Sequence, residues 1–170
     1  MSHNYVVMGV CGSGKSTIGR LLAERTGKIF IEGDEYHPEN NVSKMSQGEP
    51  LTDADREAWL NHIVQEIQTK KNENAMGLIV SCSALKMKYR DKLRGADSEL
   101  FFLHLHGSEN TLSERLIRRQ SHFMKANLLK SQLETLEMPR GESKYGVPTM
   151  KFLTYVYESS QLIKKQSRIY

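Results

Sequence analysis

The stretch that decides the fold is "GVCGSGKS", residues 9–16, which lies between a short apolar run and an amphipathic segment. Its Gly9, Gly14, Lys15 and Ser16 match the spacing G-x-x-x-x-G-K-[ST] of a phosphate-binding loop. Glycines allow backbone N–H groups to turn towards phosphate oxygens, and the helix that follows adds the positive end of its dipole. A glycine-rich turn with an exposed lysine is the alternative, but the strand–turn–helix context favours the phosphate loop.

The same loop predicts how ATP would be held. Lys15 is expected to reach the β and γ phosphates, and the Ser16 hydroxyl is expected to bind Mg²⁺. The other predicted ATP contacts come from the rest of the loop, namely Gly9, Cys11, Gly12, Ser13, Gly14 and Thr17. A dinucleotide-binding fold is disfavoured, because these glycines do not fit G-x-G-x-x-G.

Short runs rich in Val, Ile and Phe alternate along the chain with longer helix-like segments. In chain order, the predicted strands are 4–9, 28–32, 77–81 and 100–106. Thr52 and Asp55 give a capping-box signal for a helix over about 53–70. The alternation predicts an α/β protein with three layers, α/β/α, in which a parallel sheet lies between helices.

Composition and length set the class of protein. A chain of 170 residues is expected to form one domain, 1–170. No apolar run is long enough to span a bilayer and residues 1–9 lack a signal-peptide pattern, which favours the cytoplasm and no membrane partner. The net charge of +4 is spread along the chain, so a small phosphorylated ligand explains it without nucleic acid. Cys11 and Cys82 are read as reduced thiols, since they form no disulfide framework or metal pair.

An acidic stretch follows the second predicted strand. This is "EGDEYHPENN", residues 32–41. In an open parallel sheet, ligands gather beyond the carboxyl ends of the strands, so this stretch should lie near the phosphate loop. Asp34 is best placed to accept a proton from an attacking hydroxyl, to orient that hydroxyl, or to hold Mg²⁺ through water. It could also be a turn or capping acid, because Asp is common in turns.

Four segments together carry a specific resemblance to a known family. They are "MGVCGSGKSTIGRLLA" (8–23), "EGDEYHPENNVSKMSQGEPLTDADREAWL" (32–60), "CSALKMKYRDKLR" (82–94) and "HFMKANLLKSQLETLE" (122–137). The chain resembles the gluconokinase family, small P-loop kinases that phosphorylate D-gluconate on its terminal hydroxyl using ATP. The resemblance implies a fold like that of nucleoside-monophosphate and shikimate kinases, with a helical lid over about 108–135. It also suggests a homodimer.

The resemblance implies roles for residues that follow the second strand. Asp34 would be the carboxylate on the acceptor side, and His37, Lys44 and Arg56 would line or close over gluconate. Arg56 is favoured most, because an arginine gains nothing from the dipole in the first turn of a helix and an anionic ligand would explain it. His37 and Lys44 fit equally well as a turn histidine and a solvated loop lysine.

The segment after the third strand supplies further candidates. Lys86 and Arg90 are four residues apart, so on a helix they would form either a clamp for the gluconate carboxylate or a solvent-facing basic stripe. Ser83 could bond the substrate or water near Mg²⁺, although strand-end serines often satisfy backbone groups. No Asp or Glu occurs between residues 78 and 89, so magnesium is expected to rely on Ser16, ATP oxygens and water, with Asp34 as a further candidate.

The lid segment "SERLIRRQSHF", residues 113–123, places three arginines on one side of a helix. A guanidinium from a lid can stabilise the charge that develops on a transferred phosphoryl group. Arg119 matches the family's arginine and is assigned to catalysis and ATP binding. Arg115 is a second candidate ATP contact, although Arg115 and Arg118 also read as surface or packing residues.

The chain departs from the family's pattern over 139–170, where relatives usually have a fifth strand and a closing helix. "MKFLTYVY" (150–157) is the candidate for that strand. His104 and His106 share one face of the fourth strand, but two ligands do not make a metal site. Two other functions stay open: another small-metabolite, shikimate-like or nucleotide kinase, and a nucleotide-binding module that has lost catalysis.

Overall fold

The computed structural model describes residues 3–118, 127–139 and 149–151. The strands are β1 (Tyr5–Met8), β2 (Ile29–Glu32), β3 (Leu78–Ser81), β4 (Phe101–His106) and β5 (Thr149–Lys151). The helices are α1 (Lys15–Thr26), α2 (Glu39–Gln47), α3 (Asp53–Lys70), α4 (Met87–Arg94), α5 (Glu109–Arg118) and α6 (Asn127–Thr135), and a 3-10 turn covers Gly33–Tyr36.

The strands form one parallel sheet in the order β2-β3-β1-β4-β5. The first four strands lie where the sequence predicts them, and the parallel sheet is confirmed. β5 overlaps the start of the candidate strand 150–157, of which 152–157 lies outside the described residues.

Helices cover both faces of the sheet, because alternate strand residues point to opposite sides. On one side, Val6 and Val80 pack with Trp59 and Ile63 of α3. On the other side, Val7 packs with residues of α1. These strand residues are fully buried, so the central strands contribute to a core on each face. The predicted three-layer arrangement is confirmed.

The α3 helix starts where its capping residues predict. The Asp55 backbone N–H donates to the Thr52 hydroxyl at 3.2 Å, and the Thr52 N–H donates to the Asp55 carboxylate at 2.8 Å. This capping box satisfies N–H groups that have no partner within the helix. It also fixes the first turn, from which Arg56 points into the protein.

The order of the strands determines where a ligand can bind. β1, β2 and β3 run in the same direction, so the phosphate loop, the turn at Gly33 and the segment after Ser81 meet at one edge of the sheet. Ligands bind at this edge in open parallel sheets. Within the described residues, no helix is long and apolar enough to span a bilayer.

Candidate active site

A cavity opens at the edge where β1, β2 and β3 end. Its walls come from the phosphate loop, the turn after β2, α2 and the loop that follows it, the first part of α3, the segment after β3, and the helices α5 and α6. The site residues predicted from sequence that line it are Cys11, Gly12, Gly14, Lys15, Ser16, Asp34, His37, Arg56 and Ser83. The fold therefore brings the phosphate loop and most of the predicted acceptor residues into one space.

The phosphate loop turns into α1 at Gly14, whose φ of 88° lies in the left-handed region that favours glycine. Lys15 begins the helix, and its ammonium donates to the Val10 carbonyl at 3.2 Å, so the side chain folds back over the loop. Gly9, Ser13 and Thr17 belong to the loop or the first turn of α1 but do not line the cavity.

Asp34 lies in the turn after β2, and its position depends on a close approach of the backbone to β3. A Cβ atom on Gly33 would lie 2.1 Å from the Ser81 carbonyl oxygen, so only glycine fits there. The Gly33 carbonyl in turn accepts a 2.7 Å hydrogen bond from the Trp59 indole N–H. The turn that carries Asp34 is therefore fixed from both β3 and α3.

His37 lies beside Asp34 and is nearly enclosed, with 3% of its side chain exposed. Its Nε2 atom is 4.0 Å from Asp34 Oδ1. The ring stacks on Trp59, with the ring centres 4.2 Å apart and the planes at 12°. Burial, and then the positive charge of Arg56, lower the pKa of His37 to about 3. His37 is therefore neutral near pH 7 and can act as a hydrogen-bonding group but not as a cation.

Arg56 brings a buried positive charge to the cavity wall, since only 8% of the residue is exposed. Its guanidinium donates to the Leu51 carbonyl and lies 5.8 Å from the centre of the Tyr89 ring. The ion pairs found among residues 3–118, 127–139 and 149–151 do not include Arg56. A buried charge without a carboxylate is costly, so this part of the cavity favours an anionic ligand group.

Comparisons with known proteins relate this site to a family. A family model described as an AAA domain matches residues 6–137. The gluconokinase of Gluconobacter oxydans (strain 621H) is 50% identical over 134 residues, which is 79% of this chain and 75% of that protein. The chain belongs to the gluconokinase family.

Solved structures agree with this membership. A gluconokinase from Sinorhizobium meliloti 1021 is 46% identical, with a TM-score of 0.80 over 95% of this chain and 89% of that one. A shikimate kinase from Bacteroides thetaiotaomicron is 17% identical, with a TM-score of 0.65 over 98% of this chain and 97% of that one. The second likeness shows the fold alone, and it confirms the expected similarity to shikimate kinases.

The lid arginines predicted for this gluconokinase-family chain are only partly described. Arg119 lies outside the described residues, as does His122 of the same segment. Arg115 belongs to α5 but does not line the cavity. Other parts of the predicted lid do reach the cavity: Leu116 comes from α5, and Gln132 comes from α6 and accepts a hydrogen bond from the Cys11 backbone N–H at 2.7 Å.

The structure does not form the clamp predicted from Lys86 and Arg90, because both side chains have other partners there, and their contact with gluconate stays a prediction. Arg90 is fully buried and donates to the carbonyls of Ala84 at 2.7 Å, Leu85 at 3.0 Å and Glu137 at 3.0 Å. Ala84 has a φ of 44°, which is uncommon for a residue with a side chain. The arginine therefore stabilises the turn that follows β3, and it does not face the cavity.

Lys86 and Lys44 also lie outside the cavity wall. Lys86 occupies the position just before α4 and not a face of the helix, and its ammonium pairs with Asp53 at 2.9 Å. Lys44 pairs with Asp55 at 2.7 Å, and this hydrogen bond is the main reason that the pKa of Asp55 falls to about 2. Each lysine neutralises a carboxylate on α3, so their direct contact with the substrate stays a prediction.

Sequence reasoning missed two residues that shape the site. Trp59 had no role predicted from the sequence, yet it lines the cavity and holds the Asp34 turn. Its position three residues after Arg56 was an available signal, because such residues share a helix face. Asn41 had no assigned role, but it is 3% exposed and bonds to His37.

Proposed function

We propose that this protein transfers the γ-phosphoryl group of ATP to the terminal hydroxyl of D-gluconate, which gives 6-phospho-D-gluconate. The observation that carries the proposal is that the phosphate loop, Asp34 and the buried Arg56 line the same cavity. The gluconokinase named above, at 50% identity, supports gluconate as the acceptor.

The phosphate loop would hold ATP in this reaction. Lys15 would leave the Val10 carbonyl to bind the β and γ phosphates, and backbone N–H groups of the loop would bind their oxygens. Ser16 lines the cavity at the start of α1, and its hydroxyl is the hard oxygen donor that Mg²⁺ prefers. When bound, Mg²⁺ neutralises charge on the phosphates. Arg119 keeps its role at the transferred phosphoryl group through the family resemblance.

Asp34 would act on the acceptor hydroxyl. Asp34 lines the same cavity as the phosphate loop, so its carboxylate would orient the hydroxyl and take its proton. His37 is neutral, so it leaves Arg56 as the positive charge on the acceptor side of the wall. We assign Arg56 to the gluconate carboxylate for this reason.

Arg56→Ala tests the assignment of the carboxylate. Loss of the buried guanidinium that pairs with the gluconate carboxylate should weaken the binding free energy of gluconate by about 2–5 kcal/mol. KM for gluconate should therefore rise far more than KM for ATP. The ratio of kcat/KM for gluconate to that for an uncharged polyol of similar length should also fall, because the lost interaction acts only on the charged acceptor.

Lys86→Ala is the matched control, because it removes a positive charge that is already paired with Asp53 outside the cavity. It should leave KM for gluconate within a few-fold of the unmodified protein. An unchanged KM in Arg56→Ala together with a raised KM in Lys86→Ala would mean that the substrate binds in the reverse orientation.

Arg90→Met tests the structural role of the buried arginine. Three carbonyl oxygens would lose a charged donor, so the free energy of unfolding in urea should fall by at least about 2 kcal/mol. Lys88→Met on the same helix removes a more exposed ion pair and should cost under about 1 kcal/mol. Equal effects of the two changes would contradict the role assigned to Arg90.

A panel of acceptors tests the function itself. ADP release should be measured by a coupled assay with gluconate, shikimate and nucleoside monophosphates at equal concentration. We expect gluconate alone to stimulate release strongly. A preference for another acceptor would identify a different small-molecule kinase, and tight ATP binding without acceptor-dependent release would indicate a binding module. The homodimer and the cytoplasmic location stay predictions of the family resemblance and the sequence.

A further inference from the structure

We propose that Asn41 is a positioning residue that determines which ring nitrogen of His37 carries the proton, so that His37 presents an N–H group to an acceptor hydroxyl that also bonds to Asp34. This inference rests on the proposed function for its catalytic consequence. Its structural part, the tautomer of His37, stands on the contacts of the side chains alone.

The orientation of the Asn41 amide is fixed by its contact with α3. The Nδ2 atom lies 2.8 Å from the Asp55 backbone carbonyl oxygen. A carbonyl oxygen only accepts hydrogen bonds, so the atom that faces it must be the amide nitrogen and not the amide oxygen. Asn41 is 3% exposed, which leaves its side chain little freedom to turn over.

The same nitrogen faces His37 and determines its tautomer. Asn41 Nδ2 lies 3.4 Å from His37 Nδ1. An amide nitrogen can only donate, so Nδ1 has to accept, and the proton of the neutral ring then lies on Nε2. The low pKa of His37, about 3, keeps the ring in this neutral form at pH 7.

The protonated nitrogen lies on the catalytic side of the ring. Nε2 is 4.0 Å from Asp34 Oδ1, and the stack on Trp59 restrains the plane of the ring. A distance of 4.0 Å is too long for a direct hydrogen bond, but one hydroxyl oxygen can bond to both atoms. That oxygen would accept from the His37 N–H while its own proton points to Asp34. With the proton on Nδ1, both His37 Nε2 and the Asp34 carboxylate would be acceptors. They would then compete for the single proton of the acceptor hydroxyl.

The tautomer can be measured without substrate. Long-range ¹H–¹⁵N correlation spectra distinguish a protonated ring nitrogen from an unprotonated one, and the loss of one signal set in His37→Gln assigns the ring. We expect protonated Nε2 and unprotonated Nδ1 in the unmodified protein at pH 7. A proton on Nδ1 would overturn the inference.

Two substitutions of Asn41 by side chains of similar size distinguish the effect of its hydrogen bond to His37 from the effect of its packing. Asn41→Asp replaces the donor with an acceptor and should move the proton to Nδ1 or charge the ring, while Asn41→Leu removes the donor. Both should lower kcat for gluconate by about tenfold or more and leave KM for ATP within about twofold, since misplaced catalytic groups slow the reaction itself. Asn40→Asp, on the exposed neighbour of Asn41, is the matched control and should change neither.

The outcomes distinguish this inference from the proposed function. Unchanged kcat in folded Asn41→Leu, or an equal loss in Asn40→Asp, would overturn the positioning role. If the unmodified protein fails to phosphorylate gluconate but shows protonated Nε2, the proposed function fails and the assignment of the tautomer stands.

Discussion

Lys15→Met is expected to reduce turnover to the detection limit while the protein stays folded. Of the lysines in the described part of the chain, Lys15 is the one that lines the cavity. It is the first residue of α1, directly after the phosphate loop. Methionine keeps the length of the side chain but removes the charge that would bind the β and γ phosphates. The measurement is acceptor-dependent ADP release together with a thermal unfolding curve.

A surface lysine supplies the control for this substitution. Lys70 pairs with Glu66 on α3 at 2.7 Å, an i,i+4 pair of the kind worth about 0.3–0.5 kcal/mol. Lys70→Met should keep full activity. Turnover of Lys15→Met within a few-fold of the unmodified protein would mean that "GVCGSGKS" is not the ATP site.

Asp34→Asn is expected to lower kcat by about 10²-fold or more, the usual scale for a positioned acid–base group. Asparagine preserves the shape of the side chain, and the hydrogen bond from Trp59 goes to the Gly33 backbone, so the turn should keep its structure. Binding of ATP should be nearly unchanged, because the phosphate loop is intact. Pre-steady-state rates and equilibrium binding of ATP measure the two effects separately.

Glu35→Gln is the matched control for this change, since Glu35 is the next residue in the turn and is exposed. It should retain kcat within a few-fold. If Glu35→Gln loses activity while Asp34→Asn does not, the catalytic carboxylate has been assigned to the wrong residue of the acidic stretch.

Features set by local physics were predictable from the sequence. The capping box at Thr52 predicted the helix over about 53–70, which the structure has at Asp53–Lys70. The phosphate loop was predictable because its glycines and Lys15 have a required spacing. Asp34 was predictable as a cavity residue because it lies in the turn that follows a strand of a parallel sheet.

Features set by tertiary packing could not be read from spacing. Arg90 and Lys86 are four residues apart, but spacing does not tell which face of α4 is buried or that Lys86 precedes the helix. The contact of Arg90 with the Glu137 carbonyl joins residues 47 positions apart. The stack of His37 on Trp59 likewise joins the turn after β2 to α3, so neither contact leaves a local signal.

The most direct test of the account is to identify the product of ATP and D-gluconate by two-dimensional ¹H–³¹P NMR, with ADP release measured in the same sample. The account predicts one phosphate ester on the terminal carbon, formed in a one-to-one ratio with ADP, because Asp34 acts on the terminal hydroxyl while Arg56 holds the carboxylate. A phosphate on any other oxygen, or ADP release without a phosphorylated acceptor, would contradict it.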